Sequence, residues 1–202
     1  MENISSNIYN RILQFNSDNV FIANDFFDIG NYETVRKTLN RLTAQGKIRR
    51  ILKGIYYNPK YIDIIQEYEA PSINEIAFAI ARKYNWTIAP SGNTALNLLG
   101  LSTQVPAKWT YISDGRYVNF SLENNTVIEF KHRTNREISN MSTFTAMIIQ
   151  AIKTMGKDKI TDEEIKYLQK KISDKDKKKL LEESKTTSAW IYSIIQKICG
   201  VK

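Results

Sequence analysis

Apolar residues recur at helical spacing in the segment NYETVRKTLNRLTAQGK, where Val35, Leu39 and Leu42 stand at i, i+4 and i+7. That spacing lays one apolar stripe along a helix and leaves Tyr32, Glu33, Arg36, Lys37, Asn40 and Arg41 on its other faces. Asn31 is a suitable N-cap, and Gly46 stands where such a helix would stop. Upstream, residues 22 to 29 predict a shorter first helix, with Gly30 in the tight turn between the two. Downstream, KIRRIL and IYYN flank Lys53 and Gly54 and predict a short β-hairpin with basic residues near its tip. Residues 20 to 58 therefore read as a helix-turn-helix followed by a wing.

The pattern then changes. Asn58-Pro59 closes the hairpin, and residues 60 to 71 predict a short, partly helical connector. The run SINEIAFAIARKY has a Ser cap, an early Glu and Ile73, Ile76, Ala77, Ile80 and Ala81 on one side, which predicts a helix. A strand over residues 86 to 89 meets Pro90, and SGNTALNLLG predicts a second helix capped by Ser91. Residues 109 to 113 and 126 to 131 predict strands separated by turn-rich sequence. Four helices follow, over residues 142 to 155, 161 to 172, 174 to 184 and 187 to 198. The fold class is α+β: a winged helix-turn-helix DNA-binding domain at residues 1–60, then a small α/β domain with a helical C-terminus at residues 72–202.

Charge sharpens this picture. Between residues 31 and 60, eight Lys or Arg accompany a single acid, Glu33, the asymmetry that a duplex phosphate backbone selects. The net charge of +8 is the sum of +4 over residues 1–60, −3 over 61–130 and +7 over 131–202. An acidic middle between basic ends argues for localised contacts rather than general polyelectrolyte binding. The lysine run DKDKKK is either a solvated helix face or a second phosphate-contacting patch. Cys199 is the single cysteine and His132 the single histidine, so neither an internal disulfide nor a metal cluster is expected, and no cofactor. The N-terminus lacks a basic region leading into an apolar stretch, and no apolar run approaches the roughly 20 residues of a membrane span. The expectation is a soluble, cytoplasmic protein with no membrane partner.

Helix, wing and charge coincide, which points to double-stranded DNA: the second helix would enter a major groove while the wing grips the adjacent backbone. The candidate DNA-binding residues are Tyr32, Arg36, Lys37, Asn40 and Arg41 on the helix, and Arg49, Arg50 and Lys53 on the wing. Two other places carry possible chemistry. The turn at Ser91 to Asn93 either offers free N–H groups to an anion or is simply capped by its own side chains. Asp114, with Glu129 and Lys131 on the following strand, loosely matches the metal site of PD-(D/E)xK nucleases. The other reading is exposed strand charges and an Asp114-Gly115 turn. His132 falls on the opposite face and reads as structural.

Three runs, LKGIYYNPK, EIAFAIARKYNWTIAPSGNTALNLLGLSTQVPAKWTYISDG and IEFKHRTNREI, resemble bacterial AbiEi-type antitoxins of type IV toxin-antitoxin systems. The resemblance covers roughly residues 20 to 155 and is most specific from Pro90 to Pro106. It implies an N-terminal winged helix that binds inverted repeats in promoter DNA upstream of its own operon, and so represses it. It also implies a C-terminal domain serving antitoxin activity and cooperative DNA binding, and a neighbouring nucleotidyltransferase-like toxin as functional partner, in systems of phage defence. Carried over to this chain, the DNA-facing role falls on Arg36, Lys37, Asn40, Arg41, Arg49, Arg50 and Lys53. The expected function is a sequence-specific autorepressor and antitoxin, not an enzyme. The alternatives are a metal-dependent nucleic-acid enzyme using Asp114, Glu129 and Lys131, and a protein-binding antitoxin without DNA contact.

Overall fold

A computed structural model describes residues 4–15, 20–64, 66–134, 138 and 140–201. The protein mixes helices with small sheets, as an α+β chain should. It divides into two compact units, Met1–Asn85 with Leu122–Asn125, and Trp86–Ser121 with Thr126–Lys202. No helix among the described residues is long and apolar enough to cross a membrane.

The first unit begins with a helix that the apolar pattern did not predict, α1 (Ile4–Leu13), whose buried Ile8 and Ile12 lie one turn apart. Strand β1 (Val20–Ile22) and a single 3-10 turn (Ala23–Phe26) then replace the helix expected over residues 22 to 29. The reason is local. Asp25 Oδ2 accepts the Ile22 backbone N–H at 2.9 Å, and the apolar Val20-Phe21-Ile22 run pairs antiparallel with a later strand, where its side chains pack better than in a helix. Helix α2 (Tyr32–Ala44) follows, started by Asn31, whose side chain accepts from Thr34 N.

Strands β2 (Arg49–Leu52) and β3 (Ile55–Tyr57) form the expected hairpin, with an irregularity between Arg50 and Leu52 and a turn at Gly54, φ +76°. With β1 they make a sheet of order β1-β3-β2. The connector is a tiny hairpin rather than a helical turn, β4 (Tyr61–Ile62) against β5 (Glu67–Tyr68). Tyr61 and Tyr68 face each other across it with ring centroids 5.1 Å apart, an aromatic cross-strand pair that favours the extended form. Helix α3 (Ile73–Tyr84) closes this stretch, capped by Ser72. The core gathers Ile8 and Ile12 with Phe21, Phe26, Val35, Leu39, Leu42, Ile48 and Tyr56.

The second unit opens with β6 (Ile88–Pro90), α4 (Gly92–Leu98), β7 (Lys108–Ser113), β8 (Val118–Ser121) and β9 (Val127–His132). The sheet order is β6-β7-β9-β8, with β7 and β9 parallel and the outer pairs antiparallel. Strand β8 lies within what read as turn-rich sequence. Among the described residues the unit continues with the helices α5 (Thr143–Met155), α6 (Asp162–Lys171), α7 (Asp174–Glu183) and α8 (Ala189–Ile198). Ser142, Thr161 and Ser173 cap the first three through their side chains. Glu183 also accepts from the N–H and hydroxyl of Ser142. Burial opposes its charge, but these bonds and one from Thr145 hold its carboxyl below the usual range. The helical core includes Ile148, Ile152, Leu168, Leu180, Ile195 and Ile198.

Candidate nucleic-acid interface

Helix α2 turns Val35, Thr38, Leu39 and Leu42 inward. What remains outside is ordered: Tyr32, Arg36 and Asn40 stand at successive i+4 steps and so form one line along the helix. The β2–β3 hairpin brings Arg50, Lys53 and Tyr56 beside that line, and α3 adds Lys83 from its last turn. Together these side chains line a cavity of about 380 Å³. Arg36, Arg50, Lys53 and Lys83 give it four positive charges, and none of the described residues that line it is acidic.

Several of these groups are held by a neighbour. The Tyr56 hydroxyl donates to Asn40 Oδ1 at 3.1 Å, which occupies the amide oxygen and leaves the NH₂ as the donor end. Burial pushes the Tyr56 phenol above its ordinary pKa despite nearby Arg50 and Arg36, so it stays protonated and a donor. Arg36 Nη2 lies 3.0 Å from Glu33 Oε2. The shared bond raises the Arg36 pKa and lowers that of Glu33. Lys83 Nζ donates to the Lys53 carbonyl oxygen. Its pKa is lowered, first by burial and then by the charge of Lys53. Gly54 stands on a left-handed backbone, φ +76°, which is why glycine permits the turn beside that ammonium.

Of the eight candidates, the structure brings together Tyr32, Arg36, Asn40, Arg50 and Lys53. The other three do not line that cavity. Arg41 donates to Ser5 Oγ on α1. Arg49 stacks over the Tyr68 ring at 3.9 Å and, with Asn40, Arg50 and Lys53, lines a second, neighbouring cavity. Lys37 is exposed on another face of α2. Sequence reasoning missed Lys83 and Tyr56. The first looks like an ordinary basic residue in a helix's last turn, and the second like a core aromatic.

The second unit separates the acids that the sequence had grouped. Asp114 Oδ1 accepts the Thr87 N–H at 2.8 Å. Glu129 pairs in register with Thr110 on the parallel neighbour, four residues before Asp114, so the two backbone positions are offset by about 13 Å along the strand direction. Glu129 Oε2 instead meets Lys131 Nζ and Thr110 Oγ1, both at 3.3 Å. Among the described residues no group of three or more His, Cys, Asp or Glu is placed to hold a metal ion. His132 Nδ1 lies 2.6 Å from the Gly115 carbonyl oxygen. Ser91 does not cap α4 with its side chain; its hydroxyl donates to the Thr110 carbonyl at 3.4 Å.

A family described as one of unknown function, DUF6088, matches residues 7–180. No curated protein matches the chain.

Proposed function

Because the chain belongs to that family of unknown function, its activity is read from the site itself, and we propose that it is a sequence-specific repressor of double-stranded DNA. In this reading the first unit is a winged helix-turn-helix, with α2 as recognition helix and β2–β3 as wing. The observation that carries the proposal is the convergence of Arg36, Arg50, Lys53 and Lys83, from three separate elements, on one cavity without a lining acid. Such a surface suits consecutive phosphates. The exposed Tyr32–Arg36–Asn40 line of α2 would enter the major groove, with the Asn40 NH₂ donating to a base-edge acceptor and Arg36 exchanging Glu33 for a base or phosphate.

The resemblance to AbiEi-type antitoxins extends the proposal. The DNA would be inverted repeats in the protein's own promoter, bound in the cytoplasm, and the remainder of the chain would counteract a nucleotidyltransferase-like toxin. The separation of Asp114 from Glu129 weighs against the nuclease alternative. The test is fluorescence anisotropy with a labelled duplex from the upstream region against a scrambled duplex, over a range of salt. Specific affinity at least a thousandfold above the scrambled value, with a steep salt dependence, is the expected result. Equal affinity for the two duplexes would overturn sequence-specific recognition, and no binding to either would overturn the DNA reading.

A further inference from the structure

The second unit holds another basic concavity, and it is built differently. Glu129 and Lys131 lie on β9 and Arg133 directly beyond it, so strand alternation puts all three on one face at steps of about 6.7 Å. These residues, with Lys108 on the parallel strand β7, line a cleft of about 700 Å³, within the range of small-molecule sites. Its charges are graded along the strand. The carboxylate lies in the middle, with Lys131 and then Arg133 on one side. Glu129 already receives Lys131 and Thr110, and a carboxylate has acceptor capacity beyond two donors. Arg133 Nη1 donates to the Tyr117 hydroxyl at 3.2 Å and to the His132 carbonyl at 2.9 Å. The guanidinium is thereby anchored through one nitrogen, and Nε with Nη2 forms the edge that suits two phosphate oxygens.

We propose that this cleft binds a phosphorylated ligand of nucleotide size, its phosphates on Lys131 and Arg133 and a sugar hydroxyl donating to Glu129. A bare phosphate needs only the cations and brings no donor to the carboxylate beside Lys131. A ligand that joins an anionic end to hydroxyl donors about one strand repeat away satisfies both. The proposal is independent of the DNA reading, since it uses none of the residues of the first unit.

The experiment is isothermal titration of the full-length protein with ADP, GDP, UDP and inorganic pyrophosphate. At least one nucleoside diphosphate should bind at least tenfold more tightly than pyrophosphate. Lys131→Gln and Arg133→Gln should each weaken it at least tenfold, while Arg50→Ala leaves it unchanged. Glu129→Gln should erase the preference for nucleotide over pyrophosphate. Melting curves without ligand report whether each variant folds; Arg133→Lys, which keeps the charge and loses the fork, serves if the glutamine variant does not. Absence of binding by every diphosphate at millimolar concentration would overturn the proposal. So would equal affinity for pyrophosphate and nucleotide, or folded variants that bind like the original chain.

Discussion

Two regions of this protein collect basic side chains around a concavity, and they differ in where the carboxylate stands. In the first unit, Arg36, Arg50, Lys53 and Lys83 surround the cavity while Glu33, the acid paired with Arg36, reaches it from outside the lining. In the second, Glu129 is part of the lining and is tied to Lys131. A cluster with its acid outside attracts any dense run of negative charge, and contacts to bases must supply the selectivity. A cluster with its acid inside favours a ligand that brings donors as well as negative charge. Charge count alone would have treated the two as equivalent.

The comparison is most exposed to the double change Arg50→Ala with Lys53→Ala. If each contacts a phosphate, the log-log salt slope for duplex binding should shrink in magnitude by about 2, and affinity at low salt should fall by roughly a hundredfold. Glu129→Gln should leave both quantities as they were. A slope unchanged in the double variant would remove the first cavity from the backbone and dissolve the contrast. Next in size is Asn40→Ala, which should cost about 1–3 kcal/mol at one operator position and little on random duplex. Tyr56→Phe should cost about 0.5–1.5 kcal/mol at that same position by releasing the amide. A loss spread evenly over all sequences in a binding-site selection would reassign Asn40 to the backbone.

Glu33→Gln should tighten duplex binding a few-fold at low salt, because Arg36 no longer has to leave a partner; weaker binding would show that the pair positions Arg36 instead. The smallest effect concerns pH. Lys83 has a lowered pKa, so it carries its charge below that value and loses it, as pH rises, before ordinary lysines do. A phosphate contact from Lys83 should therefore fade at a lower pH than one from an ordinary lysine, reducing the salt slope by about one unit. Lys83→Arg, which stays protonated, should abolish the change. Persistence of the change in the arginine variant would assign it to another group.

Recognition of α2, its cap and the basic hairpin needed only near neighbours in sequence. Val35, Leu39 and Leu42 sit within two turns of each other, and the hairpin signal is confined to a dozen residues around Gly54. The missed features depend on distant partners. Residues 22 to 29 looked helical because nothing local reveals that Val20–Ile22 pairs with Ile55–Tyr57. Arg41 and Arg49 looked free because Ser5 and Tyr68 lie far away in sequence. Lys83 enters the site only because α3 places its end against the hairpin tip. Asp114 and Glu129 looked like neighbours until parallel pairing put Asp114 beyond the end of the register and Glu129 in its middle.

The strand order of the second unit governs how the chain comes together as it is made. Strand β8 leaves the ribosome before β9, yet it ends on the outer edge, and the slot between it and β7 is filled by β9. Until Val127–His132 has emerged, β8 has no strand beside it, and β7, which spans six residues, keeps one edge of N–H and C=O groups unmatched. Strands β8 and β9 pair across a short turn, so they can zip locally and then dock as one piece, parallel to β7. Docking of that kind must close a longer loop than hairpin zipping and belongs to the slow part of folding. A nascent chain that stalls ahead of residue 127 therefore carries an apolar strand with an open edge, the form most prone to pair with another chain.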